Sequence, residues 1–266
     1  MRKSKLSCWG AAVLCLLIHS CGINKPAESK EAVTPASAIE PAKYTFHDSL
    51  RNREIPLAIY LPEGEFPGKG KPLVVFSHGY GENNSDSYLS YSFLGEYLAA
   101  NGFPFVSIQH ELPTDELLPF AGVPQVVRMP NWERGSANIG FVVAALKHDF
   151  PDWDFSRLVV MGHSNGGDMS VLFARQNPAL VWKLITLDNR RMAFPRNQTP
   201  QIYSLRSSDQ PADEGVLPLP TEQENLGMKI VKLKNTTHNE MSDSADETQK
   251  EEMKKLILNF VQEENP

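Results

Sequence analysis

From residue 44 onward, short apolar runs alternate with longer segments whose apolar residues recur at helical spacing. The runs predict strands at residues 57–61, 73–76, 103–108, 158–161, 184–187, 202–205 and 228–233. The longer segments predict helices at residues 87–100, 137–146, 164–175 and 248–262. This alternation indicates an α/β fold, with a mostly parallel central sheet flanked by helices and an antiparallel edge around residues 44–61. In such a sheet, ligands bind at the carboxyl ends of the strands.

The segment around Ser164 has the pattern of a nucleophile elbow. It reads VVMGHSNGG over residues 159–167, which places G-x-S-x-G between an apolar strand and a helix. Gly162 and Gly166 suit a turn so sharp that a Cβ atom at either position would collide with neighbouring backbone. The helix that begins at the serine directs its N-terminal dipole toward developing negative charge. We therefore predict that Ser164 is the nucleophile of an acyl-transfer reaction.

A second apolar strand ends in a glycine-rich loop, PLVVFSHGYG over residues 72–81. Such a loop can present backbone N–H groups to the nucleophile. The backbone amides of Tyr80 and Asn165 are the predicted donors of an oxyanion hole. His78 is expected to shape this loop rather than to transfer protons.

His238 lies just past the last predicted strand, in the sequence NTTHNEM over residues 235–241. A serine nucleophile needs a general base, and the chain order of nucleophile, acid and histidine places the base on this loop. We predict that His238 takes the proton of the Ser164 hydroxyl and returns it to the leaving group.

Three aspartates could orient His238 and stabilise its imidazolium. Asp209 follows the predicted strand 202–205 after a short polar turn and is the favoured candidate. Asp188 ends the preceding strand and is the main alternative, and Asp213 lies farther along the Asp209 loop. The residues by themselves leave this choice open.

The amino terminus has the pattern of a secretory signal. Arg2, Lys3 and Lys5 precede an apolar run over residues 9–18. The run is shorter than the about 20 residues that a helix needs to cross a bilayer. Its end, LIHSC, resembles the lipobox of bacterial lipoproteins, which implies cleavage before Cys21 and lipid on its thiol. We therefore predict an exported protein that is held on a bacterial membrane by this lipid anchor only, facing the periplasm or the cell surface.

The chain is predicted to consist of a signal peptide (residues 1–20), a flexible linker rich in proline and polar residues (21–43) and a catalytic domain (44–266). The formal net charge of −6 and the scattered basic residues argue against a nucleic-acid partner. All three cysteines fall within the first 21 residues, so the predicted catalytic domain offers neither a thiol nucleophile nor a disulfide. No metal-ligand spacing is evident, and we expect neither a metal nor an organic cofactor.

These motifs resemble the α/β-hydrolase superfamily, in particular its esterase branch with platelet-activating-factor acetylhydrolases and polyester-degrading cutinases. The resemblance covers about residues 57–241. VFSHG at 75–79, LAANGF at 98–103 and GHSNGG at 162–167 are similar to the acetylhydrolase pattern, and Tyr80 matches the oxyanion-hole tyrosine of cutinases.

The two relatives imply different triad acids. The sequence LD at 187–188, followed by MAFP at 192–195, resembles the acetylhydrolases and points to Asp188. Pro200, with Asp209 nine residues later, resembles the cutinase arrangement instead. The resemblance implies an α/β-hydrolase fold, and the short stretch after Asp188 leaves no room for a large cap domain.

The expected function is the hydrolysis of a small-molecule carboxylic ester through an acyl-enzyme on Ser164, which water then cleaves with His238 as base. A peptidase or a thioesterase with the same triad, or a non-catalytic surface-binding lipoprotein of the same fold, remains an alternative. The long irregular segment 111–134 is expected to line the acyl or alcohol pocket, because long loops in compact domains are usually functional or disordered. The sequence leaves the physiological substrate and the oligomeric state open.

Overall fold

The structure is a computed structural model, and it describes residues 39–64 and 68–263. The predicted signal peptide, Cys21 and most of the predicted linker lie outside the described residues. The first strand begins at Ala42, so the last two residues of the predicted linker belong to the sheet. Within the described ranges, the structure contains no helix that is both long enough and apolar enough to cross a membrane.

Eight strands form one sheet in the order β1-β2-β4-β3-β5-β6-β7-β8. Their bounds are β1 Ala42–Asp48, β2 Arg53–Tyr60, β3 Pro72–Ser77, β4 Phe105–Ile108, β5 Asp154–His163, β6 Val181–Leu187, β7 Gln201–Arg206 and β8 Lys229–Lys232. The pairs β1–β2 and β2–β4 are antiparallel, and all other neighbouring strands are parallel. The prediction of a mostly parallel sheet with an antiparallel opening pair is therefore confirmed.

Six α-helices flank the sheet: α1 Ser92–Ala100, α2 Pro124–Val127, α3 Met129–Asp149, α4 Ser164–Gln176, α5 Pro220–Leu226 and α6 Glu247–Gln262. The predicted helix over 87–100 is divided into a 3₁₀ turn at Ser87–Leu89 and helix α1. Helix α3 is much longer than the predicted 137–146, because its first turns lie in the segment expected to be irregular. Its Trp132 is fully buried and anchors this amino-terminal extension to the core.

The two faces of the sheet carry separate apolar clusters, which explains why the central strands β3 and β4 are buried on both sides. One cluster includes Trp132 of α3 and Phe173 of α4, and the other includes Leu94 of α1 and Met253 of α6. Between β6 and β7 the described chain spans only residues 188–200, with no helix or strand. Within the described residues, the structure thus has no large cap domain, as predicted.

Candidate active site

Ser164 lies at the sharp turn between β5 and α4, where it has a positive φ of 51°. A Cβ atom on Gly166 would lie 2.3 Å from the carbonyl oxygen of Ser77 and 2.2 Å from that of His78, both on the neighbouring β3 end. A Cβ atom on Gly162 would lie 2.4 Å from the carbonyl oxygen of Gly166. Only glycine fits at positions 162 and 166, and these two glycines allow the close turn. Ser164 lies at the tip of this turn in a strained backbone conformation.

His238 follows β8 and reaches across the sheet edge to the serine. Its Nε2 atom lies 2.8 Å from the Oγ atom of Ser164. Its Nδ1 atom lies 2.6 Å from the Oδ2 atom of Asp188. The three side chains therefore form one continuous chain of hydrogen bonds, with the geometry that nucleophile, base and orienting acid require.

Asp188 is fully buried and has a positive φ of 55°, directly after β6. Its Oδ1 atom lies 2.9 Å from Nη2 of Arg206 and accepts a hydrogen bond from the backbone N–H of Ser207. The hydroxyl of Ser207 donates to the Oδ2 atom. Burial raises the pKa of the Asp188 carboxyl, but the hydrogen bond from His238, the charge of Arg206 and the Ser207 donors outweigh it. The pKa of Asp188 is consequently lowered, and the carboxyl stays ionised next to the imidazole.

The sequence-based preference for Asp209 as the acid at the imidazole is not upheld by this geometry. The Oδ1 atom of Asp209 accepts a hydrogen bond from the backbone N–H of His238 at 2.8 Å and does not contact the ring. Asp213 is farther away, paired with Arg191 and hydrogen-bonded by Gln125. The reason is the position of the two carboxylates. The carboxylate of Asp188 contacts Nδ1 of the His238 ring, whereas that of Asp209 binds the backbone of the His238 loop.

Of the predicted oxyanion donors, Tyr80 lies on the loop after β3, and Asn165 directly follows Ser164 in the first turn of α4. The hydroxyl of Tyr80 accepts a hydrogen bond from the backbone N–H of Leu118. Asn165 is the second residue of α4, so its backbone N–H has no acceptor within the helix. Its buried side chain accepts from the indole N–H of Trp132 at 2.8 Å and donates to Asn131 at 2.9 Å.

A cavity of about 220 Å³ opens above the serine. It is lined by Gly79, Tyr80, Gly81, Ser87, Ser90, Tyr91, His163, Ser164, His238, Asn239 and Ser242. None of these residues belongs to the segment 111–134 that was expected to line it. That segment contacts the cavity-lining Tyr80 through the ring of Phe120, with 6.1 Å between the centroids, and through the backbone N–H of Leu118. The expectation is corrected because the last part of the segment, from Met129, is the first turn and a half of helix α3, where Trp132 packs into the core and donates to Asn165.

Sequence reasoning missed Tyr91 and His163, two buried polar residues that line this cavity. His163 directly precedes the predicted nucleophile, and this position was the one available signal. The described part of the chain holds no group of three His, Cys, Asp or Glu side chains placed to bind an ion.

Comparison with models of protein families gives no match, and comparison with curated proteins gives none either. Solved structures do match. Esterase Est22 superimposes with a TM-score of 0.63 at 16% identity, over 86% of this chain and 82% of its own. Esterase 2 of Thermogutta terrifontis, solved phosphoramylated by tabun, gives 0.62 at 14% identity, over 85% and 96%.

A thermostable esterase gives a TM-score of 0.54 at 20% identity, over 74% of this chain. The match spans about half the length of that protein (54%). The identities are low, so these likenesses concern the architecture. Taken with the strand order, the reversed β2 and the serine elbow after β5, they show that the chain has the α/β-hydrolase fold.

Proposed function

We propose that this protein hydrolyses carboxylic esters through a covalent acyl-enzyme on Ser164. The observation that carries the proposal is the unbroken chain from the Ser164 hydroxyl through His238 to the ionised Asp188. The esterase likenesses support it, since three solved esterases share the fold.

In the first half-reaction, the Oγ atom of Ser164 attacks the ester carbonyl carbon while its proton passes to Nε2 of His238. The backbone N–H groups of Tyr80 and Asn165 stabilise the negative oxygen, each contributing roughly 2.7–4 kcal/mol in the transition state. The bond to the alcohol then breaks, and His238 returns its proton to the leaving oxygen. In the second half-reaction, water attacks the acyl-enzyme by the same route, releasing the acid and restoring Ser164.

The test is labelling with a fluorophosphonate probe together with turnover of p-nitrophenyl butyrate. The parent protein is expected to be labelled on Ser164 and to release p-nitrophenolate. Ser164→Ala should lose labelling and at least about ten-thousand-fold in kcat. Ser136→Ala removes another buried serine hydroxyl, which donates to Gln176 at 2.6 Å, and serves as the matched control that keeps both signals.

Turnover by Ser164→Ala at the parental rate would refute the nucleophile. A folded parent protein that takes up no label would favour the non-catalytic binding lipoprotein instead. Labelling with turnover of peptides or thioesters, but not of oxygen esters, would favour a peptidase or a thioesterase with the same triad.

The substrate is proposed to be an ester with a small group in the cavity and an apolar part outside it. Phe120, Val123 and Val126 are 76%, 60% and 69% exposed, and the Phe120 ring contacts Tyr80 at the cavity wall. Such clustering of exposed apolar side chains is unusual on a soluble surface without a partner. Replacing the three residues by serine should lower kcat/KM for p-nitrophenyl decanoate more than for the acetate. An unchanged ratio would remove this part of the proposal, and Leu180→Ser is the control, because Leu180 is 52% exposed and precedes β6.

We also propose export and lipid attachment through Cys21, on the strength of the lipobox resemblance alone. Metabolic labelling with a fatty acid in a bacterial host should mark the parent protein and not Cys21→Ala. Equal labelling of both proteins would contradict this anchor.

A further inference from the structure

His163 is a buried histidine that bridges two loops of the proposed site. Its Nδ1 atom lies 2.8 Å from the hydroxyl of Tyr91, and its Nε2 atom lies 3.0 Å from the backbone carbonyl oxygen of His238. Its ring also packs against the ring of His238, with 4.8 Å between the centroids. The hydroxyl of Tyr91 in turn accepts a hydrogen bond from the backbone N–H of Gly79 at 3.0 Å.

These contacts fix the direction of every hydrogen bond. The carbonyl of His238 can only accept, so Nε2 of His163 carries the proton and Nδ1 is left as an acceptor. Tyr91 must therefore donate its hydroxyl proton to Nδ1 and accept from Gly79. Three bonds thus run in one direction, from the oxyanion loop through Tyr91 and His163 to the loop of the proposed base.

Burial keeps both side chains in the protonation states that this chain of bonds needs. Burial, together with the neighbouring His238, lowers the pKa of His163 to about 3, so the imidazole is neutral near neutral pH. Burial also raises the pKa of Tyr91, which keeps its hydroxyl proton in place.

The oxyanion loop packs closely on this bridge. A Cβ atom on Gly79 would lie 2.7 Å from Nδ1 of His163 and 3.1 Å from the hydroxyl oxygen of Tyr91. The next residue, Tyr80, supplies a proposed oxyanion donor. A change at His163 or Tyr91 therefore displaces this donor and the imidazole of His238 relative to each other.

We propose that His163 and Tyr91 are positioning residues that set the distance between the oxyanion donor at Tyr80 and the base His238. This inference rests on the proposed ester hydrolysis and assigns neither residue a chemical step. Their effect is expected mainly in kcat, since a misplacement of about 1 Å can lower a rate on the order of a hundredfold.

The two ends of the bridge can be broken separately. In His163→Asn, the amide oxygen can still accept from Tyr91, but no donor reaches the His238 carbonyl. In His163→Gln, the longer amide can still donate to that carbonyl, but the acceptor for Tyr91 is lost. His163→Leu removes both ends, and Tyr91→Phe removes the hydroxyl alone.

We expect His163→Leu to lower kcat for p-nitrophenyl butyrate about a hundredfold, and the three partial variants about tenfold, with KM changed by less than about threefold. Affinity for a trifluoromethyl ketone, which forms a tetrahedral adduct on the serine, should fall in parallel with kcat/KM. Tyr203→Phe is the matched control, because it removes a mostly buried tyrosine hydroxyl at the opposite edge of the sheet and should leave kcat unchanged.

Asp243→Ala provides a structural comparison. The Asp243 carboxylate accepts from the backbone N–H groups of Ser92 and Phe93, and it ties the His238 loop to α1 independently of the bridge. It should lower the melting temperature, yet affect kcat well below that temperature less than His163→Leu does. If His163→Leu and Asp243→Ala lower kcat equally, or if the His163 variants match the parent in kcat and in ketone affinity, the positioning role is refuted. A parent protein that turns over no ester refutes the proposed function instead.

Discussion

A buried ionisable side chain lies near each end of strand β6, and the two side chains have very different partners. Lys183 and Asp188 are five residues apart, about 16 Å along a strand, and both are fully buried. The ammonium of Lys183 donates to the backbone carbonyls of Phe260, Val261 and Glu263 at the end of α6. Asp188 instead contacts side chains that can themselves titrate or react.

These different partners give Lys183 a stabilising role and Asp188 a chemical one. Backbone carbonyls cannot change their protonation state, so Lys183 acts as a cap for the carboxyl end of α6 and also lies 4.0 Å from the Trp182 ring centre. Asp188 contacts His238 and has a positive φ, and His238 contacts Ser164, which also has a positive φ. The strained residues Ser164 and Asp188 and the imidazole of His238 gather at the carboxyl edge, as expected of a functional site.

Cavity size alone would not have identified the site, because a cavity of about 420 Å³, lined in part by Asp209 and Pro211, is larger than the cavity above Ser164. A cavity of about 410 Å³ lies near the amino ends of β7 and β8, where Gln201 and Lys229 line it, and it is larger than the cavity of about 220 Å³ above Ser164. The lesson is that the arrangement of reactive groups, rather than volume, identifies the site in this molecule.

The largest effect should come from Asp188→Asn at the reactive edge. The amide can no longer stabilise the imidazolium or fix the correct tautomer of His238, so kcat for p-nitrophenyl butyrate should fall about ten-thousand-fold. Asp209→Asn is the matched control, because its amide oxygen can still accept from the backbone N–H of His238, and it should cost less than about tenfold. A larger loss for Asp209→Asn than for Asp188→Asn would reverse the assignment of the acid.

Lys183→Met tests the opposite edge. Loss of the three charge-assisted hydrogen bonds should lower the free energy of unfolding by about 4.5 kcal/mol or more, since such bonds contribute roughly 1.5–3 kcal/mol each. Urea unfolding measures this change. The value of kcat should stay within about twofold of the parent, because the two sites are distant and share no partner. A large loss of kcat in folded protein would break the proposed separation of the two edges.

The smallest expected effect concerns Asp168 of α4, which accepts hydrogen bonds from the backbone N–H groups of Arg191 and Met192 near the reactive edge. Burial raises its pKa from 3.8 to about 6, against the lowering effect of those bonds. The folded state therefore holds this proton more tightly than the unfolded chain does. Its contribution to stability is complete below pH 3.8 and is lost as the pH rises through about 6.

Asp168→Asn should flatten this dependence while its amide oxygen keeps both hydrogen bonds. The parent should lose roughly 2 kcal/mol of unfolding free energy relative to the variant between pH 4 and pH 6, since one pKa unit corresponds to about 1.4 kcal/mol. Urea unfolding at several pH values measures the slope. Identical slopes in the two proteins would show that the Asp168 carboxyl is ionised throughout.

Much of this molecule follows directly from local sequence patterns. The apolar runs predict the central strands because strands buried on both faces need continuous apolar side chains. The glycines at 162 and 166 predict the serine elbow because no other residue fits there. The position of His238 after the last strand predicts the base, and the structure does place it beside Ser164.

The long segment 111–134 shows where local patterns fail. Its prolines favoured an irregular loop, but helix α3 begins at Met129 and buries Trp132 completely. Burial against α4 and the sheet decides this conformation, and the partners of that contact are far away in sequence. Tyr91 and His163 were missed for the same reason, because their contact spans 72 positions in the chain.

The sequence by itself determined the alternation of the main strands and helices, the serine elbow and the loop that places His238 beside Ser164. The choice between Asp188 and Asp209 was left to the tertiary structure. Both aspartates follow neighbouring parallel strands that end at one edge of the sheet, so their local patterns are equivalent. Only the path of the His238 loop over that edge determines which carboxylate meets the imidazole and which meets the backbone behind it.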